Sequence, residues 1–192
     1  MTDKTSEAMR RLIDRAEIQD CMYRYARGVD RGDWETMRSA YHTDAYDDHV
    51  DFKGTVDELV AWLIERFEGV DNSMHFIGNC LIEYAGPDVA FVETYFNSRR
   101  VRKPTAEEVA KLGLEPADGM TRQAWGRYLD RFERRDGAWK IAKRIVVIDS
   151  RLTSVAKGAF NITPGSWCAR DRSDLLYANR AEVLGVEAGG RA

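Results

Sequence analysis

A chain of 192 residues with 44% hydrophobic content can bury one core but is short for two, so a single domain is expected. Its 29 Lys and Arg nearly balance 32 Asp and Glu, and the resulting net charge of −3 leaves no broad basic field to hold nucleic acid or anionic lipid. The partner that fits these numbers is small and mostly uncharged.

The chain opens on a polar stretch, MTDKTSEAMRRLIDR, and no window approaches the ~18 consecutive apolar residues of a membrane span, so neither secretion nor membrane insertion is expected. From Ser6 to Gly28 the residues Met9, Leu12, Ile13, Ala16, Ile18, Met22, Tyr23, Tyr25 and Ala26 recur at helical spacing. Gly28 stands where such a helix would end, which puts Asp30 just past it. Asp33 can cap a second, short helix over Trp34 to Tyr41. Ala45 to Phe52 reads as a strand ending in a Lys53-Gly54 turn, and Thr55 can cap a third helix over Val56 to Phe67. Then come four segments rich in β-branched and aromatic residues: His75 to Tyr84, Val89 to Val101, Arg122 to Arg134 and Trp139 to Ile148. Gly86-Pro87 separates the first two, and Asp136-Gly137, a strong hairpin signal, the last two. Lys103 to Met120 interrupts them with a short helical run, Ala106 to Leu112, as a surface excursion suited to a lid or a subunit contact. After Ser150 the pattern weakens, so residues 151–192 read as an irregular extension wrapping the 1–150 domain, with the final GVEAGGRA disordered. Helices first and antiparallel strands afterwards describe an α+β domain in which a curved, mostly antiparallel sheet wraps three N-terminal helices.

Candidate chemistry starts from the scarce histidines, His42, His49 and His75. His75 lies in an apolar strand context, where a histidine is either a hydrogen-bonded core residue or a base. Asp30, with no partner nearby in sequence, could accept one ring N–H, fix the tautomer and raise the basicity of the other nitrogen, the arrangement that proton abstraction needs. In Tyr46-Asp47-Asp48-His49, strand alternation turns Asp48 away from Asp47 and His49. Without a second ligand cluster no metal is expected there, while Tyr46 or His49 could aim a polar group at a pocket. Cys21, Cys80 and Cys168, widely spaced and odd in number, form neither a disulfide framework nor a CxxC site, which fits a reducing cytoplasm. Uninterrupted pairing across Asp136-Gly137 would set Leu129 opposite Arg144 and Arg127 opposite Val146, so that both arginines share a face. An arginine on so apolar a strand needs an acid, with Asp30 a candidate, or an anionic group. Tyr23, Tyr25, Tyr95 and Asn97 are further candidates to line a cavity. No phosphate loop, dinucleotide fingerprint, nucleophile elbow or HExxH motif occurs, so no cofactor is expected.

Four segments carry a resemblance: RAEIQDCMYRYARGVDRGDWETMRSAYHTDAYDDHVDFKG, VDELVAWL, MHFIGN and RYLDRFERRDGAWKIAKR. They are similar to the SnoaL-like family of the nuclear-transport-factor-two-like superfamily, which includes scytalone dehydratase and the lindane dehydrochlorinase. The similarity covers roughly Arg10 to Ser150 and implies a cone-shaped α+β barrel around a central pocket, and the late RDRSDLLY resembles the tail of a bacterial subgroup. The resemblance implies a general-base pair at Asp30 and His75, through GVD and MHF, and an arginine assisting the leaving group at Arg144, through KIAKR. Where the dehydrochlorinase has a lysine five residues before its aspartate, this chain has Tyr25, which shifts the implied chemistry from halide loss toward loss of water. The implied activity is that of a cofactor-independent lyase or isomerase acting on a small hydrophobic, aromatic compound, with lignin-derived substrates among those of the family. Tyr25, Tyr46, His49 and Arg144 would serve as acid or leaving-group stabiliser. The fold also serves as a non-catalytic binding module and as the small subunit of ring-hydroxylating dioxygenases, and its exposed sheet faces imply a homodimer or homotrimer.

Overall fold

The computed structural model describes residues 3–186 except 164 and 166. Helix α1 spans Asp3–Arg31 and buries Ile18, Cys21, Met22, Tyr25, Ala26 and Val29, a stripe at intervals of three and four residues. Met9, Leu12 and Ile13 continue the periodicity but are exposed. Gly28 does not end this helix. A Cβ there would strike the backbone of Met37, so the glycine lets α1 pack directly on α2, Trp34–Arg38. The helix stops at Gly32, whose φ of 63° favours glycine. Asp30 therefore sits in the last turn of α1 rather than beyond it.

Helix α2 ends at Arg38, and strand β1 runs over Tyr41–Asp48, starting earlier than expected and stopping short of His49. Lys53–Thr55, expected as a turn, forms the short strand β2 antiparallel to β1. Helix α3, Val56–Arg66, starts at Thr55 with a capping box: the Glu58 N–H donates to the Thr55 hydroxyl, and the Glu58 carboxylate accepts from the Thr55 N–H at 2.8 Å. Its buried Val56, Leu59, Val60 and Leu63 face the core.

Four long strands follow, β3 (Val70–Tyr84), β4 (Val89–Arg102), β5 (Gly119–Arg135) and β6 (Ala138–Ala156), with helix α4 (Ala106–Leu112) in the excursion before β5. The sheet order is β2-β1-β6-β5-β4-β3, antiparallel throughout except where β1 lies parallel to β6. Register shifts between Ile77 and Cys80, Trp125 and Gly126, and Arg131 and Phe132 bend the strands. The sheet thus curves without closing, and the helices occupy its concave side in a cone-shaped α+β fold. Tyr25, Met37 and Leu59 from the helices meet Val92, Phe132, Trp139 and Ile141 from the strands in one core.

One shift overturns the expected hairpin register. Phe132 pairs with Ile141 but Arg131 with Lys143, so Ala142 is an extra residue in β6. Beyond it Asp130, not Leu129, faces Arg144, and Arg127 faces Val147. A one-residue slip exchanges the two faces of a strand, so Arg127 and Arg144 lie on opposite sides. The extension is also more regular than expected: β6 continues to Ala156, and Asp174 caps helix α5, Leu175–Leu184. Arg170, ahead of α5, donates to the carbonyls of Val29 at 2.9 Å, Asp30 at 3.2 Å and Phe67 at 3.4 Å, clamping the end of α1 to α3. The disorder expected of the last residues falls, from 187 on, outside the described residues.

Candidate active site

Asp30 and His75 meet. The imidazole Nδ1 lies 2.7 Å from Asp30 Oδ1, the His75 backbone N–H donates to Oδ2 at 2.7 Å, and the Ser73 hydroxyl donates to Oδ1 at 2.8 Å. Burial pushes the Asp30 carboxyl up, but the adjacent His75 and these hydrogen bonds outweigh it and hold the group below its ordinary range. An ionised carboxylate only accepts, so the ring proton sits on Nδ1 and the lone pair on Nε2. Nε2 has no hydrogen-bond partner among the described residues, and the His75 side chain lines a cavity.

A second pair faces the same cavity. His49, one residue past β1, places Nδ1 2.7 Å from Oδ1 of fully buried Asp47, whose Oδ2 accepts the Tyr41 hydroxyl at 2.7 Å. Asp48 turns the other way, onto Lys53. The His49 ring packs 5.9 Å from that of Trp62, which stacks on Phe52. Between the two histidines the wall consists of Tyr25, Val29, Leu63, Phe67, Phe96, Tyr128, Val146 and Ile148. The free space, about 70 Å³, exceeds the ~10–15 Å³ that one water needs. Burial pushes the Tyr25 hydroxyl up to about 12, which keeps it a proton donor at neutral pH. Ser98, Ala124 and four arginines, Arg66, Arg100, Arg122 and Arg151, complete the lining.

The structure brings Tyr25, His49, His75 and, through His75, Asp30 to this cavity; the other expected site residues lie elsewhere. Tyr23 and Tyr46 are exposed and do not line it. Tyr95 and Asn97 lie on the outer face of β4, where Tyr95 pairs with Arg127, itself bound to Glu93 at 2.9 Å and to Asp149. Arg144 is buried on the inner side but does not reach the cavity: its guanidinium donates to both carboxylate oxygens of Asp130, at 2.8 and 2.6 Å, rather than to Asp30. It lies 4.2 and 4.0 Å from the ring centres of Tyr25 and Tyr128. Desolvation works against its charge, but the ion pair with Asp130 raises its pKa well above the ordinary value. Sequence reasoning set Asp47 and His49 on one side of the strand without pairing them, and missed the aromatic wall of Trp62, Phe96 and Tyr128 and the four arginines, which only the packing of α3 against the strands brings together. Among the described residues no group of three or more His, Cys, Asp or Glu side chains is arranged to hold a metal ion.

A curved, open sheet with helices packed on its concave side is the architecture of the nuclear-transport-factor-two-like superfamily. The chain belongs to the SnoaL-like domain family, which matches residues 10–145. Solved structures that share the fold include a candidate scytalone dehydratase from Novosphingobium aromaticivorans, with 17% identity over 76% of this chain and 90% of that one and a TM-score of 0.63. A type 2 hexachlorocyclohexane dehydrochlorinase aligns at 19% identity over 82% of this chain and 99% of its own, with a TM-score of 0.64. A Mycobacterium tuberculosis protein of unknown function aligns over 91% of this chain and 86% of its own, at 21% identity and a TM-score of 0.56. No curated protein matches the chain.

Proposed function

We propose that the protein is a cofactor-independent lyase of the dehydratase type that moves a proton on a small, largely apolar, aromatic compound. The observation that carries this reading is the 2.7 Å contact between His75 Nδ1 and Asp30, with Nε2 left unpartnered in a side chain that lines the cavity. His75 Nε2 takes a proton from a carbon acid, Asp30 stabilises the imidazolium that forms, and Tyr25, or His49 where it starts as an imidazolium held by Asp47, gives a proton to the departing oxygen. Atoms balance as loss of water, with one C–H and one C–O bond broken and one C=C bond formed. Family membership supports a small-molecule site, and the dehydratase and dehydrochlorinase neighbours share the fold in which such eliminations occur. The test is a panel of aryl-substituted β-hydroxy carbonyl compounds, followed by ultraviolet absorbance for the conjugated alkene. Wild type should convert members of the panel without added metal or cofactor, and His75→Ala should not. Equal conversion by the two would take the base's role from His75, and ligand binding without conversion would leave the binding-module reading in its place.

Association is the other part of this reading. Met74, Phe76, Leu81, Phe91 and Tyr95 lie exposed on β3 and β4, and Met9, Leu12 and Ile13 project from α1. So much apolar surface fits contact with a second copy of the chain, as a homodimer or homotrimer. Light scattering at micromolar concentration should give a multiple of the 21.9 kDa chain mass. Phe76→Glu should shift the particle to a monomer, and a monomeric wild type would end the expectation.

A further inference from the structure

The near-neutral charge of the whole chain conceals a local excess. Four of the residues lining the cavity are arginines, Arg66, Arg100, Arg122 and Arg151, and none is Asp or Glu. Asp51 lies 3.3 Å from Arg66 and 3.6 Å from Arg151, so a carboxylate already shields the outer two. Among the described residues no ion pair or hydrogen bond reaches the guanidinium of Arg100 or of Arg122; Arg100 only packs over the Phe67 ring, at 4.8 Å. The two are direct cross-strand partners, Arg100 on β4 and Arg122 on β5. Like charges directly opposite on a sheet are destabilising, and a shared wall of a partly apolar cavity increases that cost. Burial, and then Arg66, Arg122, Arg170 and Arg151, push Arg100 down to about 10.

Their position relative to the base is fixed by the register. One row across the sheet reads His75, Ser98, Ala124, Arg151, and the next reads Ser73, Arg100, Arg122, Thr153. Rows two residues apart lie ~6.6 Å from each other and strands ~4.8 Å apart, so the Arg100 Cα stands about 8 Å from that of His75. A small molecule gripped at one end by Arg100 and Arg122 can present a carbon a few bonds away to the imidazole.

We propose that Arg100 and Arg122 form an anion-binding end of the cavity, and that the substrate is a small organic carboxylate whose apolar body rests on Phe67, Phe96 and Trp62. This rests on reading the cavity as the substrate site. Planar, two-pronged guanidinium groups match the planar carboxylate, and each paired contact is strong because both partners are charged. A phosphate group is usually cradled by free backbone N–H groups at a loop or helix start; here the wall is strand, with its backbone in the ladder. The anion also relieves the repulsion between the arginines, so its binding stabilises the loaded protein.

The experiment is calorimetric titration of the full chain with 3-phenylpropanoate, its neutral amide and inorganic phosphate. In wild type the acid should bind at least about 10-fold more tightly than the amide. Arg100→Met and Arg122→Met should each weaken acid binding by about 10- to 100-fold, the range for losing a hydrogen bond to a charged group, and leave the amide unchanged. Arg122→Lys should fall between. Unliganded, the Met variants should melt no lower than wild type, since a repulsion is removed; a lower melting temperature with both ligands lost would make the arginines structural and overturn the proposal. Equal affinity for acid and amide would overturn it too, and phosphate binding as tightly as the acid would replace the carboxylate by a phosphate. His75→Ala should still bind the acid. A failed general base with intact acid binding therefore refutes only the lyase, and turnover of neutral compounds without acid binding refutes only the carboxylate.

Discussion

His75→Ala is expected to remove roughly two to four orders of magnitude of turnover, the usual contribution of a positioned general base. The 2.7 Å contact makes Asp30 and His75 one unit, because the carboxylate sets which ring nitrogen carries the proton. Asp30→Asn can present an amide N–H to Nδ1 and favour the tautomer with its proton on Nε2, which has no free pair for the substrate. Its loss should approach that of His75→Ala, and the double variant should be scarcely worse than either alone. Additive losses would mean that the two residues act separately. His75→Gln with most of its turnover intact and only a lower melting temperature would make the imidazole a wall. Stability supplies a second readout. Asp30 titrates below its ordinary value in the fold, so its contribution is fully present above the unfolded pKa of about 3.9 and fades as pH falls through the lower folded value. Asp30→Asn should therefore melt below wild type at neutral pH, with the gap narrowing in strong acid.

What could be read in the sequence was what local chemistry decides. Thr55 with Glu58 is a start signal complete within four residues, and Asp136-Gly137, with both residues at positive φ, turns the hairpin by itself. The end of α1 was misjudged because a glycine has two uses, and at Gly28 close packing on Met37 outweighs termination. The Asp30–His75 pair was legible only through family resemblance, since 45 residues separate its members. The arginine cluster was not legible at all. Arg66, Arg100, Arg122 and Arg151 come from α3, β4, β5 and β6, and nothing in any one segment distinguishes them from surface cations.

The bulge at Ala142 had the largest consequence for a role, because it hands Arg144 to Asp130. Both side chains are fully buried, Arg144 packs against Tyr25 and Tyr128, and its Nη1 finds no hydrogen-bond partner among the described residues. Such a pair gains less than it suggests, since each charge is costly to dehydrate, yet removing one partner strands the other. Arg144→Met should therefore lower unfolding stability by about 3–5 kcal/mol, measured by urea titration. Pairing it with Asp130→Leu, which removes the stranded carboxylate, should recover most of that loss. Because the guanidinium lines no part of the cavity, turnover per folded molecule should change only as far as the loss of its packing on Tyr25 shifts that residue. The competing assignment makes Arg144 a leaving-group stabiliser, and it predicts the reverse: a stable Arg144→Met protein with turnover reduced by two or more orders of magnitude, not restored by Asp130→Leu. That result would require the inner wall at Tyr25 and Tyr128 to open during catalysis and expose the guanidinium to the substrate.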